Sequence, residues 1–372
     1  MKRVLMKIYL PFLFFGFTLA ASAQAQQGTY VFSKEGGTYT GQLVSGKPQG
    51  KGKTVYKNGQ TYEGEYVKGK RQGHGVYTFP DGERYEGDWF DDHQHGQGTY
   101  YFANGNRYEG LWYVDAQQGQ GIMYYHNGDR YEGEWLNDKR EGEGTYYWAN
   151  GVFYKGQWHD DYKNGKGLID WRDGSTYYGE WYYDKRNGKG SYIYSNGDKY
   201  EGDWKNDLTD GKGIYTFANG DRYEGDYKEG ERSGMGIFVH KDGRKYNGGF
   251  LNGMMEGRGT YDWPDGSRYD GTWVEDKPSG YGVLTTKQGD KYEGGWLGGK
   301  MHGEGKLYLS DGSKFKGHFK DGEKNGKCVE ESADGTRFEG SYLNGQRDGN
   351  FVEKDRNGKT IRKGTYKNGR LQ

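Results

Sequence analysis

The 372-residue chain holds one cysteine and five prolines and shows no excess of charge of either sign, and each shortage excludes a class of protein. A single thiol, Cys328, rules out an intrachain disulfide framework and a cysteine-based zinc site. So few prolines exclude a proline-rich linker, and the 70 glycines follow no Gly-X-Y period, which excludes collagen. The 53 basic residues are matched by 53 acidic ones, so the basic footprint of a nucleic-acid binder is missing. Apolar residues of all kinds reach only 31%, too few to fill a conventional three-dimensional core.

Aromatic residues are what the chain has in plenty. Phe, Trp and Tyr together make 17% of it, which argues against disorder. Rings packed against glycine in a thin, repeated architecture reconcile the two extremes.

Long apolar runs are also scarce, with one exception at the start. Lys2, Arg3 and Lys7 flank an apolar stretch from Ile8 to Ala20, and Ala21-Ser22-Ala23 forms a small-x-small cleavage site overlapped by Ala23-Gln24-Ala25. The run is shorter than the ~20 residues a membrane span needs. No cysteine follows it, so a bacterial lipoprotein is not expected. Residues 1–25 read as a signal peptide and residues 26–372 as the exported chain, secreted or periplasmic. Without Lys2, Arg3 and Lys7 the basic count falls from 53 to 50 against 53 acidic residues.

The exported chain is one repeat written many times. The glycine of Tyr-Glu-Gly-(Glu/Asp)-Trp falls at Gly41, Gly64, Gly87 and onward to Gly340, every step being 23 residues, with a last copy at Gly364 one residue late. Gly-x-Gly keeps the same step from Gly50/Gly52 to Gly303/Gly305, and Asn/Asp-Gly runs from Asn58-Gly59 to Asp334-Gly335. In the unit from Tyr62 to Arg84, a first strand carries Tyr62, Gly64 and Tyr66 on one face and Glu63 and Glu65 on the other. A loop over Val67 to Gln72 leads to a second strand with Gly73, Gly75, Tyr77 and Phe79 on a shared face. Asp81-Gly82 then turns the chain into Tyr85, since Asx-Gly tolerates the positive φ of tight turns. Arg84, Glu86 and Asp88 alternate with Tyr85, Gly87 and Trp89, so one face is aromatic and the other a charge ladder. A ring lies flat across a neighbouring strand only where that strand lacks a side chain, which is the task assigned to the glycines.

These elements resemble the MORN (membrane occupation and recognition nexus) repeat. Tyr131-Glu132-Gly133-Glu134-Trp135 and Lys300-Met301-His302-Gly303-Glu304-Gly305 carry the likeness, which covers residues 28 to 372. It implies an all-β fold: an elongated, single-layer, twisted array of 23-residue hairpins, about 14–15 of them, forming a solenoid-like rod with a shallow aromatic groove. It also implies a scaffold that is often dimeric, with phosphoinositide binding proposed for several members, and it offers no catalytic residues. Two departures stand out. Asp92, Asp115, Asp138, Asp161, Asp184 and Asp207 replace a loop glycine, a turn substitution that Asp tolerates. Near the end, Cys328 and Phe351 replace the second glycine of Gly-x-Gly and Phe315 and Phe338 replace Tyr, as expected of a capping end.

A catalytic site needs a constellation that interrupts the repeat, and the constant step leaves no insertion to hold one. Carboxylate pairs such as Glu86 and Asp88 recur unit after unit as solvated ladder residues, and no phosphate-binding loop is present. The chain is therefore read as no enzyme, without cofactor or metal; Asp91, Asp92, His93 and His95 form a hydrophilic turn. Basic residues interleaved with acids, as at Lys139-Arg140-Glu141, do not form the cluster of 4–8 that holds an anionic membrane. The expected partner is a protein, with a homodimer as one form; a glycan or cell-surface ligand is the alternative and a phospholipid the second. The expected contact surface is the aromatic groove: Tyr62, Tyr85, Trp89, Tyr108, Trp112, Tyr131, Trp135, Tyr200, Trp204, Tyr223, Tyr269, Trp273, Tyr292 and Trp296.

Overall fold

Tyr62 and Tyr66 alternate with Glu63, Glu65 and Val67, and the strand they form, Thr61–Val67, buries the first set and exposes the second. The computed structural model describes residues 24–34 and 36–372, so the expected signal peptide lies outside the described residues except for Gln24 and Ala25. Among the described residues there are thirty-two strands and no helix. The chain divides into two units, one running through Gly128 and taking in Glu134–Asp138, the other formed by Asp129–Gly133 and Lys139–Gln372.

From Thr38 to Leu343 strands of seven and nine residues alternate, and within each unit they pair antiparallel with their sequence neighbours. In the first unit Thr61–Val67 pairs with Lys70–Thr78, which pairs with Arg84–Phe90. In the second, Lys199–Lys205, Leu208–Thr216 and Arg222–Lys228 repeat the arrangement. The all-β hairpin array expected from the repeat is the fold observed.

The hairpin connection differs from the expected loop. Val67 already pairs with Lys70, so the turn has only two residues, Lys68 and Gly69, with φ of 53° and 89°. Two successive positive φ values match the twist of adjoining strands. The residues expected to span a loop instead extend the second strand, and the surplus is absorbed by a bulge. Gly87 faces Gly98 and Trp89 faces Gln94, so Asp88 stands against three residues. Gly96, at φ 60°, makes that kink possible. The first glycine of Gly-x-Gly is therefore a bulge residue and not part of the ring-bearing face.

The other two glycines do what the alternation requires. Gly87 and Gly98 are directly paired, and the ring of Tyr85 lies over both. A Cβ on Gly87 would stand 2.5 Å from the Gly98 Cα and 2.6 Å from the Tyr85 hydroxyl. That hydroxyl donates to the Asp88 carbonyl at 2.9 Å, which satisfies the one polar atom of the buried ring. Burying such a ring contributes roughly 4 kcal/mol, whereas each strand glycine costs ~0.5–1 kcal/mol, so ring coverage wins.

The loop aspartates adopt left-handed geometry as expected, with φ between 65° and 74° from Asp92 to Asp207. Their carboxylates also have a task that spacing did not reveal. Asp161 Oδ1 accepts the Arg140 backbone N–H and Nε, each at 3.0 Å, while the Asp161 N–H donates to the Arg140 carbonyl at 3.1 Å. Asp92 holds Arg71, and Asp207 holds Arg186, in the same way. At Gly230, where glycine keeps the position, only the backbone bond to Thr209 remains. Each aspartate thus staples its turn to the preceding hairpin with charge-assisted bonds worth about 1.5–3 kcal/mol.

The degenerate end closes with its own cluster of Phe315, Phe319, Cys328, Phe338 and Phe351 around Tyr292. Glu330 occupies the place that Tyr77 and Tyr100 hold in earlier repeats. It accepts bonds from Lys324 and Arg347, both at 2.6 Å, and from Tyr342 at 2.8 Å. Burial would raise its pKa, but these donors hold it below the ordinary carboxylate range.

Candidate interaction surface

The fourteen residues expected to form an aromatic contact groove are spent on packing. Tyr62, Tyr85, Tyr108, Tyr131, Tyr200 and Tyr223 are 0% exposed, and Tyr269 and Tyr292 reach only 1% and 2%. Trp89, Trp112, Trp135, Trp204 and Trp273 are buried too, and Trp296 is partly buried. Each tyrosine meets two rings edge to face: Tyr85 lies 5.3 Å from Trp89 and 5.4 Å from Trp112. The indole N–H of Trp89 donates to the Gly75 carbonyl at 3.2 Å, and Trp273 bonds Gly259 likewise. Burial pushes the phenols of Tyr62, Tyr85, Tyr108 and Tyr200 well above the ordinary tyrosine pKa. With their edges, faces and polar atoms all engaged, these rings are core and present no surface to a partner.

A row of side chains that the sequence did not single out completes the closure. The guanidinium groups of Arg71, Arg140 and Arg186 each lie 4.4 Å from the ring centres of Trp89, Trp158 and Trp204. Lys163 covers Trp181 at 4.6 Å, and Gln94 and Gln117 are buried at the equivalent position. Cation–π contact and the aspartate staple fix each of these arginines from two sides. The signal was available as the second residue after the two-residue turn, but it varies in type and so does not read as a motif.

The opposite face is polar and laced by ion pairs: Lys189 with Asp203 at 2.6 Å, Lys212 with Asp226 at 2.5 Å, and Arg222 with Glu224 at 2.7 Å. Glu86 is paired with Arg84, and Asp88 accepts the Gln97 N–H at 3.0 Å, so the recurring carboxylates serve the ladder. The residues of the 91–95 turn separate to different partners. Asp91 pairs with Lys70, Asp92 with Arg71 and His93 with Asp115, while His95 lies between the rings of Phe90 and Tyr113. Among the described residues no three His, Cys, Asp or Glu side chains converge as a metal site. Cys328 is buried opposite Gly317, and burial pushes its thiol up to about 11, far from the range of a reactive thiolate.

One recurring part of the exposed apolar surface lies where a first strand meets its turn. In the first unit Val67, Phe90, Tyr113 and Leu136 follow one another at the repeat step and are 42%, 57%, 60% and 44% exposed. Two strands per repeat put successive members ~10 Å apart. His95 fills the gap between Phe90 and Tyr113 at 5.6 and 5.2 Å, which makes the stripe continuous there. The Lys70–Asp91 and His93–Asp115 pairs border it, giving an apolar strip with a charged rim. In the second unit Leu251, Val274 and Leu297 form an equivalent exposed row.

Comparison with known proteins follows the same register. The sequence profile described as MORN repeat matches fourteen segments, from residues 39–61 through 338–359, which covers most of the chain. No curated protein matches the sequence as a relative. Among solved structures, the SAS-4 (dCPAP) TCP domain of Drosophila melanogaster in complex with a proline-rich motif of Ana2 (dSTIL) is 19% identical, with 41% of this chain and 83% of that chain covered and a TM-score of 0.27. The TCP10 domain of Danio rerio CPAP in complex with a STIL peptide is 13% identical, covers 79% of this chain and 96% of its own, and has a TM-score of 0.16. Virginiamycin B lyase from Staphylococcus aureus is 12% identical over 77% of this chain and 92% of its own, with a TM-score of 0.13. Superpositions as loose as these carry no argument about this chain.

Proposed function

The chain belongs to the MORN-repeat family, and on that premise we propose that it is a non-catalytic, exported scaffold that binds a protein through the apolar stripe of its first unit. The observation that carries the reading is the row of Val67, Phe90, Tyr113 and Leu136, large apolar side chains left in solvent at four successive repeats and joined by His95 between Phe90 and Tyr113. Soluble chains seldom leave such a row uncovered unless a partner takes it up. Burial of the Tyr and Trp rows speaks against sugar stacking on those rings. The basic n-region and apolar run of the first 25 residues support export.

The test is a pull-down from host envelope fractions, comparing the purified protein with a Phe90→Asp, Tyr113→Asp double variant. Protein, polysaccharide and lipid-vesicle fractions are offered separately. Specific recovery of a protein by the parent, lost in the double variant while its circular dichroism is unchanged, is the expected result. Retention on polysaccharide that free sugar competes away would overturn the reading. Equal recovery by both proteins would remove the stripe as the contact surface.

A further inference from the structure

Along most of the polar face, charges directly opposite across neighbouring strands have opposite sign. Lys189 faces Asp203 and Lys212 faces Asp226, and both pairs are in ionic contact. Towards the end of the second unit the rule breaks. Lys306 stands directly opposite Lys316 on one neighbouring strand, an arrangement that destabilises a sheet, and opposite Glu293 on the other without ionic contact. On the following strand Lys327 faces Ser341. All three lysines are exposed, and none has a carboxylate within ion-pair distance among the described residues. The nearby carboxylates are already engaged: Glu293 with Lys291, Glu304 with His318 at 3.7 Å, and Glu339 with Lys354 at 3.0 Å.

The same three lysines line a trough of about 1010 Å³ on this face. Gly294, Gly305, Gly317 and Gly340 lie along it, and any side chain there would point away from it, to the ring-bearing face. Tyr281, which is 63% exposed, stands at one end. The volume is that of a ligand site, and the charge left unbalanced within it is positive.

We infer that this trough binds an acidic peptide segment, whose carboxylates supply the counter-charge that Lys306, Lys316 and Lys327 lack within the chain. Every second side chain of an extended peptide lies ~6.8 Å from the next, a spacing that flexible lysine tails on adjacent strands accommodate. A membrane fits less well: three unpaired lysines interleaved with glutamates along a hollow are fewer than the 4–8 outward-facing basic residues that hold a bilayer surface. The inference rests on the reading of the chain as a protein-binding scaffold and gives it a second contact, on the second unit, with a stated chemistry.

The experiment uses the purified full chain and a fluorescein-labelled peptide of alternating Glu and Ser, followed by fluorescence anisotropy at low and physiological salt. Saturable binding that weakens with salt, and no binding of the Lys/Ser counterpart, is the expected result. Lys316→Glu removes one cation and ends the like-charge opposition. It is expected to weaken peptide binding by about tenfold or more while raising the melting temperature, a combination that a merely structural lysine would not produce. Lys57→Glu, an equal charge change on an exposed turn of the first unit, is expected to leave binding unchanged. Failure of the peptide to bind at low salt, or equal binding by Lys316→Glu, would overturn the inference. So would Lys316-dependent binding of polygalacturonate or phosphatidylglycerol vesicles in place of the peptide. If the envelope pull-down returns a protein equally well with Lys316→Glu and the peptide does not bind, the trough assignment falls and the scaffold reading stands. Recovery of polysaccharide alone in that pull-down would sink the scaffold reading instead.

Discussion

Between about pH 10 and pH 12 the protein is expected to lose its fold, and to do so because tyrosines make its core. Burial pushes the phenols of Tyr223, Tyr269 and Tyr292 up to about 12. Those of Tyr62, Tyr85, Tyr108, Tyr154, Tyr177, Tyr200 and Tyr246 are raised further, again chiefly by burial. An unfolded chain releases these protons near pH 10, whereas the folded chain keeps them. In that window the folded state therefore binds more protons, and stability falls as pH rises. It is fully present below the unfolded value and lost on the way to the folded one. Each tyrosine loses about 1.4 kcal/mol per pH unit in this range, so ten of them lose on the order of 10 kcal/mol by pH 11, comparable with the whole stability of a domain. Phenolate absorbance at 295 nm and circular dichroism should change together on a pH titration. Normal titration of the buried tyrosines near pH 10 with the sheet signal intact would contradict the packing described for them.

Replacing Gly87 with valine is expected to be the most damaging single substitution in the first unit. Its φ is unremarkable, so the penalty arises entirely from space. A Cβ there collides with the Gln97 carbonyl and the Gly98 Cα, each 2.5 Å away, and both are backbone atoms held by strand pairing. The Tyr85 ring must then leave the glycine pair, which exposes part of the row on which Trp89 and Trp112 pack. Overpacking of 1–3 kcal/mol and loss of a ring worth roughly 4 kcal/mol together put the cost at about 5 kcal/mol. Because each hairpin contacts only its neighbours, hydrogen exchange should rise in the flanking repeats and stay at parent levels in the second unit. Gly82→Ala meets no atom within 4 Å and bears only the cost of its φ of 95°, so it serves as the milder comparison. Equal melting of the Gly87→Val protein and its parent would rule out glycine vacancy as the organising principle.

The hairpin, its period and its two faces were legible because each follows from alternation and a constant step. Tyr62 and Tyr66 inward with Glu63 and Glu65 outward is a statement about pleat, and the strand obeys it. The two-residue turn is not legible because its first residue is seldom glycine. Lys68, Asp91 and Asn137 carry φ values of 53°, 52° and 49°, which no residue preference announces for lysine. The aspartates were read correctly as turn residues, yet their staple to the preceding hairpin depends on a bond across 21 positions that spacing alone does not display. The larger miss was the contact surface. Ring-on-glycine packing was recognised, but the lid formed by Arg71, Arg140 and Arg186 was not, and without a lid the rings look available. The exposed stripe was overlooked for a related reason: Val67, Phe90, Tyr113 and Leu136 differ in type, and their common place shows only once the two-residue turn is known.

The repeated tyrosine row is closed core. Iodination of the native protein followed by peptide mass mapping tests it most directly. Tyr113, Tyr178, Tyr182 and Tyr281, which are 60%, 58%, 56% and 63% exposed, should be modified first. Tyr62, Tyr85, Tyr108, Tyr200 and Tyr223 should remain unmodified until the protein is unfolded. Modification of that row in the native protein at the rate of Tyr113 would mean that the rings are accessible, and would restore the aromatic face as a binding surface.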